Sequence, residues 1–125
     1  MIDHVTLNVR DYAEGRRFYE QALAPLGYSV NLEFPEFNAC GFGSDDGSGF
    51  WIAERGEASA PTHVALRAPD RKTVDRFYEA AIAAGGKDNG PPGIRAHYHE
   101  HYYGAFVHDP DGNNIEAVCH APARS

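Results

Sequence analysis

The segment over residues 2–10 contains an alternation of polar and apolar side chains that runs from His4 to Arg10. Val5, Leu7 and Val9 fall on one side of an extended chain, and the alternate positions, His4 among them, are polar. This period of two predicts a β-strand with one face in the core and one polar face.

The next segment changes to the helical period. Asp11 stands where a helix cap is expected, Glu14 follows three residues later, and Gly27 comes after the last apolar position. One stripe between them carries Phe18, Tyr19, Ala22, Leu23 and Leu26. We expect a helix that covers the apolar face of the first strand.

Three further strands complete a first unit. Residues 28–34 and 37–42 read as strands on either side of Pro35. Asp45-Asp46-Gly47 then predicts the turn into a strand over residues 50–53. The predicted order of the first unit is therefore βαβββ.

The second half of the chain repeats this order. Residues 63–68 predict a strand, Asp70 is the expected cap of a helix, and Gly85-Gly86 ends that helix. The helix is expected to be buried through Val74, Phe77, Tyr78, Ala81 and Ile82.

The end of the chain predicts one more hairpin. Residues 87–93 are rich in Gly and Pro and predict a loop, and residues 96–108 predict a strand. The turn Asp109-Pro110-Asp111-Gly112 leads into a last strand over residues 114–119. We expect the tail from His120 onward to be loose.

Strand and helix recur in one register. His63 follows His4 by 59 positions, and the helical Arg-Phe-Tyr-Glu sequence also recurs after 59. The two Asp-Gly turns are 65 apart, so the second unit has six extra residues before its last hairpin. Because two units are too few for a solenoid, we predict one α+β domain over residues 1–125. Its halves are units at about 1–56 and 61–119.

Composition narrows the class of partner. A chain of 125 residues with 42% hydrophobic content forms one domain with a real core. The formal charge of −7, with both signs interspersed, argues against nucleic acid, so we expect a small-molecule partner. There is no apolar run of membrane-spanning length and no signal-peptide pattern, so the expected location is the cytoplasm. Cys40 and Cys119 are expected to be buried thiols.

Four features together resemble the vicinal oxygen chelate superfamily, which includes glyoxalase I, extradiol dioxygenases, fosfomycin-resistance enzymes and bleomycin-resistance proteins. They are the duplicated unit, the His that opens each copy, the twin Phe-Tyr-Glu helices and the sequence DPDGNNIE at 109–116. The resemblance implies curved mixed sheets that enclose a cavity, with a divalent metal held by the first and last strands. It also implies a homodimer, because two-unit chains of this superfamily often complete each cavity with a unit of the partner.

Carried over position by position, the resemblance implies His4, His63 and Glu116 as metal ligands. The equivalent of Glu116 in the first unit, counted from the Asp-Gly turn, is Trp51, whose indole nitrogen is only a donor. Trp51 is then a candidate for lining the substrate pocket, and Glu54 is discounted because it falls on the opposite strand face. Two imidazoles and one carboxylate suit Fe, Mn, Zn or Ni and leave positions open for a substrate's neighbouring oxygens. The simpler alternative for any single His is an ordinary strand residue that is hydrogen-bonded to a neighbour.

The sequence HYHEHYY at 97–103 places three His at alternate positions, which would share one face of an extended strand. A second metal site is one interpretation of this stretch, and an exposed edge is the simpler one. His99 is a candidate catalytic proton carrier because a His titrates near neutral pH, and Tyr102 and Tyr103 are alternatives. Arg95 is a candidate for binding an anionic group of a substrate.

Two functions of different class remain open. One is a metal-dependent enzyme acting on a small oxygenated substrate, as a dioxygenase or as a lyase or transferase of the glyoxalase and fosfomycin-resistance kind. The implied ligand set favours it. The other is a metal-free small-molecule binding protein of the bleomycin-resistance kind. Trp51 argues against glyoxalase I, which in the family normally uses two His and two Glu. The short chain argues against a ring-cleaving dioxygenase, since these commonly carry two pairs of units.

Overall fold

The computed structural model of the chain describes residues 1–45, 47–56 and 60–123. Asp46, which the sequence predicts in the first hairpin turn, lies outside the described residues. The elements of the first unit are β1 (Val5–Asn8), α1 (Tyr12–Leu23), β2 (Ser29–Phe34), β3 (Ala39–Ser44) and β4 (Gly47–Ala53). The predicted order βαβββ is confirmed.

One boundary in the first unit differs from the prediction. The segment Pro35–Phe37 is a 3-10 turn, and Asn38 after it has a left-handed φ of 48°. The third strand therefore begins at Ala39 and not at Phe37. Proline has no N–H to give to a strand ladder and fixes its own φ, so it favours a turn at this point.

The second unit has the same order with one short strand added. Its elements are β5 (His63–Arg67), α2 (Arg71–Ala83), β6 (Lys87–Asp88), β7 (Gly93–Ile94), β8 (Tyr103–His108) and β9 (Asn114–Cys119). The prediction of a plain loop over residues 87–93 is wrong, since two short strands lie against β8 there. The prediction of one strand over residues 96–108 is also wrong, because residues 96–98 and 100–101 form turns.

Each unit forms a mixed sheet. The strand order is β1-β4-β3-β2 in the first sheet and β5-β9-β8-β6 in the second, with β7 also beside β8. In each sheet the first and last strands of the unit pair in parallel. Trp51 pairs with Thr6 in the first sheet, and Glu116 pairs with Ala65 at the equivalent place in the second. Trp51 and Glu116, which are equivalent when counted from the two Asp-Gly turns, therefore also occupy equivalent positions in the strand register.

The two helices contact each other, each packs on the sheet of its own unit, and both share one core. Asp11 accepts a hydrogen bond from the backbone N–H of Glu14 at 3.0 Å, and Asp70 accepts one from Thr73 at 2.7 Å, so both predicted caps are confirmed. A single cluster of buried apolar side chains contains residues of both helices and both sheets. The two sheets each turn one face to this cluster, and we call the opposite faces the open faces. Cys40 and Cys119 are buried as predicted.

A buried polar contact joins the first helix to the last hairpin. The hydroxyl of Tyr19, on α1, donates to Asp109 Oδ2 at 2.5 Å. Burial, with the neighbouring Asp109 carboxylate, raises the pKa of Tyr19, so the phenol remains a donor. The other Asp109 oxygen accepts the backbone N–H groups of Asp111 and Asn113 at 2.9 and 2.8 Å.

In the described residues no helix is long and apolar enough to cross a membrane.

The repeat supplies a matched test of this contact. Tyr19→Phe removes the donor to a buried carboxylate, and we expect the free energy of unfolding to fall by about 1.5–3 kcal/mol. Tyr78 occupies the equivalent place on α2, and its hydroxyl donates to the exposed Asp88 at 3.0 Å. Tyr78→Phe should therefore change stability by about 0.5 kcal/mol or less. Urea denaturation of both variants is the measurement, and equal losses would contradict a special role for the Asp109 contact.

Candidate functional site

A buried carboxylate lies on the open face of the second sheet. Along β9, Ile115, Ala117 and Cys119 point into the core, so Glu116 points to the other face. Glu116 is nevertheless only 1% exposed. A carboxylate that loses its hydration needs partners, because an unpaired buried charge is costly.

The first partner of Glu116 is His63 at the start of the neighbouring strand. The Nε2 atom of His63 lies 2.8 Å from Glu116 Oε1, and the His63 side chain is 51% exposed. The imidazole therefore connects the buried carboxylate to the surface. This contact brings together two of the three ligands that the resemblance implies.

The second partner is Tyr102, whose hydroxyl donates to Glu116 Oε2. Burial raises the pKa of Tyr102 above its ordinary value, and the hydrogen bond to Glu116 adds to the shift, so the phenol stays neutral and donates. Gly104 makes room for this pair, since a Cβ there would lie 3.3 Å from both Glu116 Oε2 and Tyr102 Cε1. Tyr102 thus covers the carboxylate from the side of the turn segment.

The His-rich segment turns back on itself before β8. His97, His99 and His101 consequently do not share one strand face. His99 Nε2 lies 2.8 Å from His120 Nδ1, and the backbone N–H of His101 donates to His99 Nδ1 at 3.0 Å. In a neutral His99 the proton is then on Nε2, because Nδ1 must be the acceptor.

The sequence predicts a loose tail from His120 onward and therefore does not place His120 beside this segment. Its ring lies 5.3 Å from that of Tyr102 and 5.0 Å from that of His99. No local pattern in the sequence reveals this contact, which depends on the tail passing the turn segment. Arg95 borders the same face, with its guanidinium 5.2 Å from the ring of Phe106, which is itself 6.2 Å from the His63 ring.

His4 lies apart from this pair, beside the open face of the first sheet. Its Nδ1 atom is 2.6 Å from Asp3 Oδ1, and it lines a groove of about 270 Å³ together with Trp51. Over residues 1–45, 47–56 and 60–123, no three His, Cys, Asp or Glu side chains form a group able to hold a metal. Within one chain, therefore, His63 and Glu116 are in contact on the second sheet, whereas His4 lies beside the first sheet.

Trp51 is held flat against the open face of the first sheet. Its indole N–H donates to the carbonyl of Ser48 at 2.9 Å, and its ring stacks on Phe34 at 5.9 Å with an interplanar angle of 9°. A Cβ on Gly41 would lie 2.6 Å from Trp51 Cε2, so the ring occupies the space that this glycine leaves. Glu54 instead accepts the backbone N–H of Tyr12 at 2.9 Å at the start of α1.

This arrangement of two βαβββ units has known relatives. The sequence model of the Glyoxalase/Bleomycin resistance protein/Dioxygenase superfamily matches residues 1–117. The chain belongs to this superfamily. The resemblance and the α+β fold class that the sequence predicts are thereby confirmed.

Solved structures of the superfamily share the fold. A glyoxalase/bleomycin resistance protein from Albidiferax ferrireducens T118 is 28% identical with a TM-score of 0.79, and the match covers 95% of this chain and 97% of that one. A family enzyme from Burkholderia phytofirmans PsJN is 19% identical with a TM-score of 0.74, over 96% and 98%. A glyoxalase I variant from Zea mays is 25% identical with a TM-score of 0.68, over 94% of this chain and 46% of that one. No curated protein matches the chain.

The position of Trp51 depends on the missing side chain of Gly41. We expect Gly41→Ala to push the indole off the sheet, to lower the free energy of unfolding by about 1–3 kcal/mol and to shift the Trp51 emission to longer wavelength. Gly49→Ala is the control, since the nearest atom to its added Cβ would be Asp3 O at 3.8 Å. It should leave the emission unchanged and stability within about 0.5 kcal/mol. An unshifted emission spectrum in Gly41→Ala would contradict this account.

Proposed function

We propose that the protein is a metal-dependent enzyme of the glyoxalase and dioxygenase type that acts on a small oxygenated substrate. The observation that carries the proposal is the contact of His63 with Glu116 on an open sheet face. The carboxylate is 1% exposed, and its imidazole partner is half-exposed. A buried carboxylate beside a solvent-facing imidazole is the donor pair that Fe, Mn, Zn or Ni accepts.

The donor set fits a divalent ion in its chemistry. His63 and Glu116 would hold the ion from the second sheet, with His4 as the third ligand. When bound, such an ion supplies a Lewis acid for the neighbouring oxygens of a substrate. Tyr102 would orient the carboxylate through its hydrogen bond, as groups behind a metal ligand commonly do.

Two other residues near Glu116 have proposed roles toward the substrate. His99 is the proposed proton carrier, because its ring centroid lies 5.5 Å from that of Tyr102, which donates to Glu116. Arg95 lies over Phe106 on the same face and is proposed to bind an anionic group. Trp51 is proposed to line the substrate pocket from the other sheet.

The separation of His4 from the other two ligands favours a homodimer. The open face that carries His4 and the open face that carries Glu116 belong to different sheets, and no described strand of one sheet pairs with the other. A twofold dimer would set the first sheet of one copy against the second sheet of its partner and form two equivalent sites.

The cytoplasmic location stays a prediction from the sequence.

A metal-free binding protein is the second candidate. Both oxygens of Glu116 already have partners, His63 and Tyr102, so its burial does not require a cation. Trp51 also replaces the fourth ligand position with a flat aromatic surface. These two observations favour capture of a small molecule without chemistry.

Metal analysis separates the two candidates. We expect the wild-type protein, purified without chelator, to hold about one divalent ion per chain, because each chain supplies one His4, one His63 and one Glu116. Glu116→Gln and His63→Ala should each lose it, since both remove a donor. His97→Ala is the control, because its ring packs on Tyr98 and, in the part of the chain that the structure describes, the hydrogen-bond partners of Glu116 are His63 and Tyr102. Full metal content in both ligand variants, or none in the wild type, would overturn the enzyme proposal.

Mixing two defective chains tests the dimer. His4→Ala and Glu116→Gln should each fail to bind metal as homodimers. After joint unfolding and refolding, mixed dimers should regain one intact site, made from the unaltered His4 of one copy and the unaltered His63 and Glu116 of the other. Metal content and light scattering are the measurements. A monomer, or mixtures that never regain metal while the wild type does, would contradict a shared site.

A further inference from the structure

The open face of the first sheet carries aromatic side chains that the core does not use. Phe37 is 70% exposed and Phe34 is 42% exposed, although both are large apolar residues. Phe34 stacks on Trp51, and all three side chains line the groove of about 270 Å³ that also contains His4. Exposed apolar surface gathered around a concave site is typical of a binding surface.

The aromatic wall is fixed in place before any ligand arrives. The indole of Trp51 lies in the space above Gly41, and its N–H is used by the carbonyl of Ser48 at 2.9 Å. Because the only polar atom of the ring already has a partner, what the ring offers a ligand is its apolar π-surface. Aromatic rings bind other rings in offset or edge-to-face stacks.

A cation borders the same groove. Arg55 lines it and is exposed. Across residues 1–45, 47–56 and 60–123 no carboxylate forms an ion pair with Arg55. A guanidinium presents a planar set of donors that matches a carboxylate or a similar anion.

We propose that the groove of the first sheet selects a planar aromatic ligand that carries an anionic group, with the ring against Trp51 and Phe37 and the anion on Arg55. The volume is just below the usual range of ligand clefts, which suits a molecule of one or two rings. The inference deepens the proposed function, because His4 lies in the same groove and the ligand would be the substrate or its near relative.

The test uses the fact that Trp51 is the only tryptophan in the chain. In metal-free protein labelled with ¹⁵N, its indole N–H gives a single identifiable signal. We expect 2-naphthoate to shift this signal saturably at low salt. Neutral 2-naphthylmethanol should bind about tenfold more weakly, the ratio expected for one charge-assisted hydrogen bond. Cyclohexanecarboxylate, which has the charge and no aromatic ring, should leave the signal unmoved.

Variants of the groove, each with a matched control, test which residue binds the anionic group of the ligand and which binds its ring. Arg55→Gln should raise the Kd for 2-naphthoate about tenfold to that of the alcohol, while the exposed Arg17→Gln on α1 should not change it. Phe37→Ser should weaken both naphthalene ligands severalfold, and Tyr98→Ser, which removes an aromatic that is 59% exposed elsewhere, should weaken neither. Because Arg55 and Phe37 are exposed, these variants are expected to fold.

Several results would overturn the inference. They are an unmoved Trp51 signal at saturating 2-naphthoate, an equal shift with cyclohexanecarboxylate, and an Arg55→Gln variant with unchanged affinity. A Phe37→Ser variant that turns a dimer into a monomer, with no response of Trp51 to 2-naphthoate, would show that Phe37 serves the dimer contact and not a ligand site. Metal content is measured separately, so metal uptake without naphthoate binding would contradict only this inference. Naphthoate binding without metal uptake would contradict only the proposed metal-dependent activity.

Discussion

The buried carboxylate of Asp109 is the group on which the relation between the two units depends. It accepts the Tyr19 hydroxyl from the first unit and backbone and side-chain N–H groups of Asn113 from its own turn. Asn113 Oδ1 in turn accepts the backbone N–H of Thr62 at 3.0 Å, next to His63. The same turn leads directly into β9. The two chain segments that carry His63 and Glu116 are therefore anchored at one buried point that also anchors α1.

Much of this was accessible from the sequence because the chain is duplicated. Each helix has its cap at an equivalent Asp, and the recurrence of 59 positions aligns β1 and α1 with β5 and α2. The second spacing, between the Asp-Gly turns, aligned Trp51 with Glu116, and the strand register agrees with it. Local periodicity and capping are properties of short segments, so they can be seen before the chain is folded.

The remaining features depend on contacts between segments that are distant in sequence. The alternation of His at 97, 99 and 101 imitates a strand, but the chain forms turns there without the Gly or Pro that would indicate them. His120 meets His99 only because the tail returns past this turn. The distance from His4 to Glu116 is likewise set by how whole sheets are arranged, which neither periodicity nor spacing describes.

The residues that pair with Trp51 and with Glu116 across neighbouring strands differ in the size of their side chains. In the first sheet a glycine, Gly41, pairs with the large Trp51, whereas in the second sheet the large Phe106 pairs with Glu116. A carboxylate placed at position 51 alone would stand over an empty space on the sheet, and a tryptophan placed at position 116 would meet the Phe106 ring. Each half thus keeps its own complementary pair of side chains, and a carboxylate at position 51 would leave unfilled the space above Gly41 that the indole now occupies.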